Sequence, residues 1–381
     1  MRQVLVQIPL DRPWDLGPLG KVPGFGFGVV LFVWILIGAG YLYLRGRKSG
    51  WKLKLSDEFL PFVNWLAVAL AIVFGAPLLG SYLRSHGSEN FREGIPIFGY
   101  GLMLFIGFSL AVFRATIRAE REGLPSDVIW DLAVWLFIPG IVGARLYYLI
   151  QYGNRVFTGP PSLDWLIAAV SLSQGGIVLY GGLLGGAIGY FSFCYFRGIR
   201  PLALADIIVP SVFIGIGFGR IGCFLNGCCY GAMTSLPWAV QFPRESATFA
   251  SMVEKKLLDA SAVCTPPLHP TQIYSAIDGF VIAAITAWYF RYRRRNGEVL
   301  AVALLIYPIT RFCMELLRAD EGGQFSTSLT TAQWVSIALF VVNLGFMYYL
   351  STRPAVREPV TIPPASTGIG SLVPNGQHRS A

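Results

Sequence analysis

The stretch 217–231 carries residue types from which a binding or catalytic site in a membrane can be built. It closes an apolar run, 202–218, and places one arginine, one asparagine, three cysteines and five glycines at or beyond its end. An arginine there is costly unless it reaches the interface, pairs or binds a ligand, and glycines allow close backbone approach. Two interpretations follow. One is a site for an anionic headgroup at this stretch, and the other is a glycine-rich loop with an arginine anchor.

A second set of polar residues lies in the apolar run 299–317. Tyr307, Arg311 and Glu315 follow one another at four-residue spacing, and Arg318 comes seven residues after Arg311. This spacing places the four side chains on one face of a helix. They serve either as a structural Arg311–Glu315 pair between helices or as a site in which Arg311 faces a phosphate and Glu315 orients it.

The composition indicates the elements that must position these residues. The 381 residues are 54% hydrophobic and 13% charged, whereas soluble domains carry roughly 25% charge. The net charge of +9 comes mostly from short Lys and Arg clusters between apolar runs, which signal orientation in a membrane. Because no basic domain stands apart from these runs, nucleic-acid binding is not expected. No paired CxxC spacing occurs and the chain has three histidines, so neither a metal nor a cofactor is expected.

The sequence predicts an all-α polytopic membrane protein with about nine transmembrane helices and a small external loop domain. The predicted spans are 25–44, 62–82, 95–113, 128–150, 179–196, 202–218, 270–290, 299–317 and 332–350, each near the length that crosses a bilayer. Positive clusters place the N-terminus outside and the C-terminus in the cytoplasm. Segment 165–178 is interpreted as re-entrant or interfacial, and 246–262 as an external amphipathic helix.

Three regions are predicted along the chain. Residues 1–92 form an extension with two transmembrane helices, 93–350 a membrane domain, and 351–381 a disordered cytoplasmic tail rich in Pro, Ser and Gly. Within the membrane domain, several polar residues are expected to cluster toward the external side, and arginines converging there suit a glycerophospholipid headgroup. Asp206 is expected to pair with one of these arginines. The clustered residues are Tyr100, Arg145, Arg220, His269 and Arg318, with Gln272 nearby.

The motifs resemble those of the bacterial prolipoprotein diacylglyceryl transferase family. Stretch 219–231 reads GRIGCFLNGCCYG, where that family reads G-R-x-G-N-F-x-N-x-E-x-x-G. Five further matches occur in the family's order: IFGYGLM at 97–103, GAR at 143–145, YGGL at 180–183, HPTQIY at 269–274, and the Tyr307, Arg311, Glu315, Arg318 face. The resemblance covers about residues 94–350.

The resemblance implies a transferase of the bacterial cytoplasmic (inner) membrane. The reaction moves the diacylglyceryl group of phosphatidylglycerol to the lipobox cysteine of a prolipoprotein signal peptide, giving a thioether and glycerol phosphate. Arg220 and Arg311 would stabilise charge on the leaving phosphate, Glu315 would orient Arg311, and Tyr180 or His269 would take the thiol proton. Contacts with this substrate or with membrane lipid are assigned to Tyr100, Arg145, Asn226, Gly231, Gln272, Tyr307 and Arg318.

The chain departs from the family pattern at three positions. Cys223 replaces the signature Asn, Cys228 replaces the signature Glu, and Tyr180 replaces a His. Two alternatives therefore stay open: a divergent paralogue with another acceptor, and a cysteine-based redox or metal-binding membrane protein. For Cys223, Cys228 and Cys229 we expect packing in the loop or a disulfide, with Cys223 or Cys264 as partner, rather than a nucleophilic role.

Overall fold

The computed structural model describes residues 4–8, 14–15, 21–22, 36, 95–156, 176, 178–318 and 327–355. Within these ranges the protein is mostly helical, as the sequence predicts. The strands are β1 (Val4–Ile8), β2 (Trp14–Asp15), β3 (Lys21–Val22) and β4 (Ile95–Phe98). The helices are α1 (Gly99–Arg121), α2 (Ser126–Val156), α3 (Leu179–Arg197), α4 (Pro201–Asn226), α5 (Ala247–Glu254), α6 (Thr271–Tyr289), α7 (Glu298–Glu315) and α8 (Thr331–Thr352).

Five of these helices are long and apolar enough to cross a membrane: α1, α2, α3, α4 and α8. They match five of the predicted spans. Helices α6 and α7 have 19 and 18 residues and match two more, but they carry charged side chains within the run. The predicted spans 25–44 and 62–82, most of segment 165–178 and the tail beyond 355 lie outside the described residues.

The chain divides into two compact units. The first comprises Met1–Met103, Leu225–Cys228 and Phe242–Thr265, and the second comprises Leu104–Phe224, Cys229–Gln241 and Pro266–Ala381. In the first unit β1 pairs antiparallel with β4, and β2 pairs with β3. The same unit contains α5, whose first turn is capped because the Ser246 hydroxyl accepts the Phe249 N–H.

Helix α5 is shorter than the predicted 246–262. It ends at Glu254, and two residues later Lys256 adopts a φ of +58°. A left-handed residue cannot continue a right-handed helix. The chain then turns again at Asp259, whose carboxylate accepts the backbone N–H of Ser261. The amphipathic pattern predicts a helix here, and its Phe249 and Met252 are buried, but the pattern does not reveal this stop.

The second unit has an apolar core and an apolar outer surface. Its core includes Leu132 of α2, Ile207 of α4, Ile282 of α6 and Val299 of α7, all buried. Large apolar side chains also cover the outside; they include Phe105, Ile150, Leu183, Phe191 and Val342. An apolar exterior of this extent suits a lipid solvent, in which helices satisfy their own backbone hydrogen bonds.

Helices α2 and α3 pack backbone to backbone. A Cβ atom added to Gly143, Gly181, Gly185 or Gly189 would collide with the main chain of the partner helix. Small residues allow this approach in membrane bundles. The contact includes Pro139 within α2. Proline has no N–H for the Trp135 carbonyl, and Gly189 of α3 lies against that carbonyl. The position of α3, and of Tyr180 in its first turn, is therefore set by α2.

The opposite end of the bundle holds a buried ion network. Asp206 of α4 accepts the backbone N–H groups of Gly297, Val299 and Leu300 at 2.8–3.0 Å, which caps the start of α7. Arg293 lies 3.7 Å from Asp206 and 2.9 Å from a carboxylate oxygen of Glu122 at the end of α1. Asp206 is thus structural, as expected, but its partner comes from the cluster that precedes α7 and not from the site arginines.

Candidate active site

The last turns of α4 present Arg220 after a close crossing of helices. A Cβ on Gly279 of α6 would lie 3.1 Å from the Gly217 nitrogen, and one on Gly107 of α1 would lie 2.7 Å from Phe218 Cβ. The Phe218 and Phe280 rings meet edge to face at 5.4 Å. Arg220 is therefore carried on a segment that contacts α1 and α6 tightly, because glycine permits both contacts.

Arg220 is half-buried, and no hydrogen bond or ion pair to it is found within the described ranges. Arg118, on α1, differs from Arg220 because it is buried and hydrogen-bonded within the protein. Its Nε donates to the Ile207 carbonyl at 3.0 Å and its terminal nitrogen donates to the Ser211 hydroxyl at 2.7 Å. A partly buried guanidinium without a protein acceptor is the kind of group that binds an anionic ligand.

The predicted face of α7 is present. Arg311 forms an ion pair with Glu315, and Arg318, just beyond the helix, brings its Nε to 3.8 Å from the same carboxylate. The Glu315 side chain is fully buried. The Tyr307 ring stands edge-on to Phe213 of α4 at 5.5 Å. Two arginines thus share one buried carboxylate, so their positive charge exceeds its negative charge.

Gly231 connects Arg318 with His269. Its N–H donates to the His269 carbonyl at 3.1 Å, while on its other side it pairs with Arg318 as an isolated antiparallel bridge. A Cβ at Gly231 would lie 2.7 Å from His269 Cβ, so only glycine fits there. The structure brings Gly231, His269 and Arg318 together.

Tyr180 and Arg145 lie where α2 meets the start of α3. Arg145 donates to the Gly176 carbonyl at 2.8 Å and lies over the Tyr148 ring at 5.2 Å. The backbone N–H of Val178 donates to the Ala144 carbonyl at 3.1 Å. Tyr180 is exposed in the first turn of α3. Arg145 therefore fixes the backbone at Gly176, just before α3 begins.

Three other predicted residues lie at helix ends. Tyr100 is exposed in the first turn of α1, and Asn226 is the last residue of α4; both belong to the first unit. Gln272, in the second unit, is buried in the first turn of α6. Tyr100 and Asn226 therefore belong to a different compact unit from the other candidates.

The cysteines of the site stretch are thiols, as are the other three of the chain. The loop after α4 turns through Gly227 and Cys229, with φ values of +67° and +60°. The expected disulfide is not formed, and the alternative expectation, that these cysteines lie within a tight loop, agrees with this geometry.

Two residues were missed by the sequence reasoning. Asp278 of α6 accepts the Thr310 hydroxyl of α7 at 3.0 Å, and Trp238 donates to the Tyr274 hydroxyl at 2.7 Å. A carboxylate within an apolar run is itself a signal of function or of helix pairing. Asp278 gives such a signal in the predicted span 270–290. The Trp238 contact has no such local signal.

Comparison with known proteins agrees with the motifs. The family model described as prolipoprotein diacylglyceryl transferase matches residues 89–349. A phosphatidylglycerol–prolipoprotein diacylglyceryl transferase of Clostridium tetani is 35% identical over 256 residues, which cover 67% of this chain and 93% of that protein. The second protein of that name from Clostridium perfringens is 32% identical, over 67% of this chain and 91% of its own length. One from Rhodopirellula baltica is 28% identical, over 91% of this chain and 89% of its own length. The chain therefore belongs to the prolipoprotein diacylglyceryl transferase family.

Proposed function

We propose that this protein transfers the diacylglyceryl group of phosphatidylglycerol to the cysteine thiol of a prolipoprotein. Relatives that match this chain over most of their own lengths are named as that transferase. The observation that carries the proposal is the contrast between Arg220 and Arg118: Arg220 is half-buried and meets no acceptor in the described ranges, whereas the buried Arg118 donates to two.

The reaction forms one bond and breaks one bond. The substrate thiolate attacks the glycerol carbon of phosphatidylglycerol, a carbon–sulfur bond forms, and the carbon–oxygen bond to phosphate breaks. Glycerol phosphate leaves with the electron pair of that bond. Arg220 and Arg311 stabilise the charge that grows on the leaving phosphate, since fixed donors aimed at developing charge lower the barrier.

The remaining candidates bind and orient the substrates. Glu315 holds Arg311 and approaches Arg318, so it keeps both guanidinium groups in place. Tyr180 or His269 takes the thiol proton. Contacts with the headgroup, the glycerol or the peptide are proposed for Tyr100, Arg145, Asn226, Gly231, Gln272, Tyr307 and Arg318.

The proposed topology has about nine transmembrane helices, with the N-terminus outside the bacterial inner membrane and the C-terminus in the cytoplasm. Residues 1–92 supply two of these helices, 93–350 form the transferase domain, and 351–381 form a cytoplasmic tail. The stretch 219–268 is external and forms the proposed small loop domain. Support comes from the positive clusters after alternate spans.

A direct assay tests the proposal. The purified full-length protein is incubated with phosphatidylglycerol and a lipobox peptide, and the peptide mass is measured. We expect the added mass of one diacylglyceryl group on cysteine, and none on a matched peptide in which serine replaces that cysteine. A folded protein that leaves the peptide unchanged would rule the proposed reaction out.

A second candidate function is transfer of the same group to another acceptor. Cys223, Cys228 and Tyr180 favour it, because they differ from the family residues within the site motifs. Supplying non-lipobox thiol peptides and amine or hydroxyl acceptors beside the lipobox peptide distinguishes the two. Product on another acceptor alone would favour the second candidate.

A further inference from the structure

A hydrogen-bonded chain of three side chains ends at His269. Trp238 Nε1–H donates to the Tyr274 hydroxyl at 2.7 Å, and that hydroxyl lies 3.4 Å from His269 Nδ1. The His269 and Tyr274 ring centroids are 6.2 Å apart, with the planes at 65°. All three residues belong to the second unit.

The backbone around these side chains is held by main-chain pairing. Val240 and Leu268 exchange both N–H···O=C bonds at 3.0 Å, two residues after Trp238 and one before His269. Tyr274 lies in the first turn of α6. The three-residue chain is therefore built on two paired segments and a helix, and a shift of one member would require backbone movement.

The order of donors indicates where His269 carries its proton. An indole N–H only donates, so the Tyr274 oxygen accepts from Trp238. Among the described residues, His269 Nδ1 is the acceptor open to the Tyr274 hydroxyl proton, and donation in this direction satisfies both groups. A neutral imidazole carries a single N–H, so the proton of neutral His269 lies on Nε2.

We propose that Trp238 and Tyr274 are positioning residues that hold His269 as the Nε2–H tautomer. In this state His269 donates a hydrogen bond to an anionic oxygen of the phospholipid and does not take the proton of the thiol. The role in catalysis rests on the proposed function, whereas the tautomer does not. Tyr180 then remains as the candidate proton acceptor.

The surroundings of His269 suit a donor. Gly231 lies between the His269 segment and Arg318, bonded to the first and bridged to the second. Because neighbouring extended segments are about 4.8 Å apart, the His269 and Arg318 backbones are separated by roughly 10 Å. Arg318 in turn approaches Glu315 and Arg311. A neutral N–H donor beside this group adds to its attraction for a phosphate without adding charge.

Nitrogen NMR of the full-length protein in micelles tests the tautomer. The chain has three histidines, so histidine-labelled spectra are simple, and His269→Gln assigns the signal of interest. At alkaline pH, where imidazole is neutral, we expect Nε2 to be protonated and Nδ1 to be the acceptor. A proton on Nδ1 would overturn the proposal.

Trp238→Phe tests the positioning role, because it keeps an aromatic ring and removes the N–H. Tyr274 is then able to accept from His269 Nδ1–H, so the share of that tautomer should rise. Trp288→Phe is the matched control, since Trp288 is similarly exposed and stacks on Tyr292. Tyr274→Phe gives a second variant if Trp238→Phe does not fold. Unchanged signals in both site variants would contradict the role.

Transfer rates test the donor role separately. The amide nitrogen of Gln reaches the place of the imidazole Nε2, whereas that of Asn reaches the place of Nδ1. His269→Gln should therefore keep the transfer rate within about tenfold of wild type. His269→Asn should lower the rate about 10²–10³-fold, as when one donor is removed. Equal loss in both would overturn the donor role. A wild-type protein with the Nε2–H signal but no transfer would support the tautomer and refute the proposed function.

Discussion

Asp206 and Arg220 lie near opposite ends of α4, about 20 Å apart by helical rise. At the first end, Asp206 accepts three backbone N–H groups and faces Arg293, which also pairs with Glu122. At the other end, Arg220 follows a glycine crossing and meets no hydrogen-bond or ion-pair partner within the described ranges. The same helix therefore carries one charge that has partners within the protein and one that the proposed function assigns to a ligand.

This difference distinguishes a charged side chain that stabilises the fold from one that is available to a ligand. A charge in an apolar environment is costly unless it is paired. Asp206 has its partners within the folded protein, so it contributes to stability. For Arg220, the proposed function supplies the partner, since the phosphate of the substrate would pair with it. The predictions below test this division, from the largest expected change in free energy to the smallest.

Arg293→Ala should produce the largest effect on stability. It leaves the buried Asp206 and Glu122 carboxylates without their cation, a change that costs about 3–5 kcal/mol. Unfolding in mixed micelles measures the loss, with the transfer rate per folded molecule preserved. The control is Arg291→Ala, an exposed arginine nearby, for which the change should stay within about 0.5 kcal/mol. Equal stability of both variants would show that the network contributes nothing.

Arg220→Ala should have the reverse profile. We expect the transfer rate to fall about 10²–10³-fold, which corresponds to about 2.7–4 kcal/mol, while unfolding changes by no more than about 0.5 kcal/mol. Initial rates with phosphatidylglycerol and a lipobox peptide measure the first quantity. Arg197→Ala, at an exposed ion pair with Asp131, serves as the control. Near-wild-type turnover in Arg220→Ala would remove the phosphate role from this residue.

Gly185→Ala extends the comparison to a contact without charge. The added Cβ would collide with the Pro139 carbonyl, and overpacking of this kind costs about 1–3 kcal/mol. Gly186→Ala is the control, because it makes the same substitution one residue along α3, where the added Cβ meets nothing within 4 Å. The control should be neutral or gain up to about 1 kcal/mol. If the two variants unfold alike, the close packing of α2 and α3 is not a source of stability.

Replacing Cys223, Cys228 and Cys229 together with Ser should have the smallest effect on rate. We expect the rate per folded molecule to stay within a few-fold and the stability to fall more, because the reaction uses the thiol of the substrate. Rates normalised to folded protein and intact-protein mass spectra measure both. A single Cys228→Ser or Cys229→Ser variant without turnover, together with a lipid adduct on that cysteine in the parent, would instead indicate covalent catalysis.

Local spacing predicted the parts of the site that lie within one element. The pairing of Arg311 with Glu315 follows from a four-residue spacing. The Gly231–His269 contact was not predicted, because it joins two segments far apart in sequence. The partner of Asp206 and the Trp238–Tyr274 bond were not predictable in this way, because both join residues far apart in sequence. They depend on how α4 meets α7 and how two loops pair, which hydropathy does not encode. The early stop of α5 depends likewise on one left-handed residue.

The direction of the helices around Gly231 has an electrical consequence. Helix α7 finishes near this residue, while α6 begins there. A helix carries about half a negative charge at its C-terminus and half a positive charge at its N-terminus. The dipole of α7 therefore opposes a phosphate and largely cancels the attraction of α6, so side chains must supply the positive potential. Phosphate affinity at such a place should weaken steeply with ionic strength, unlike affinity at a glycine-rich helix N-terminus, where the backbone attracts the anion.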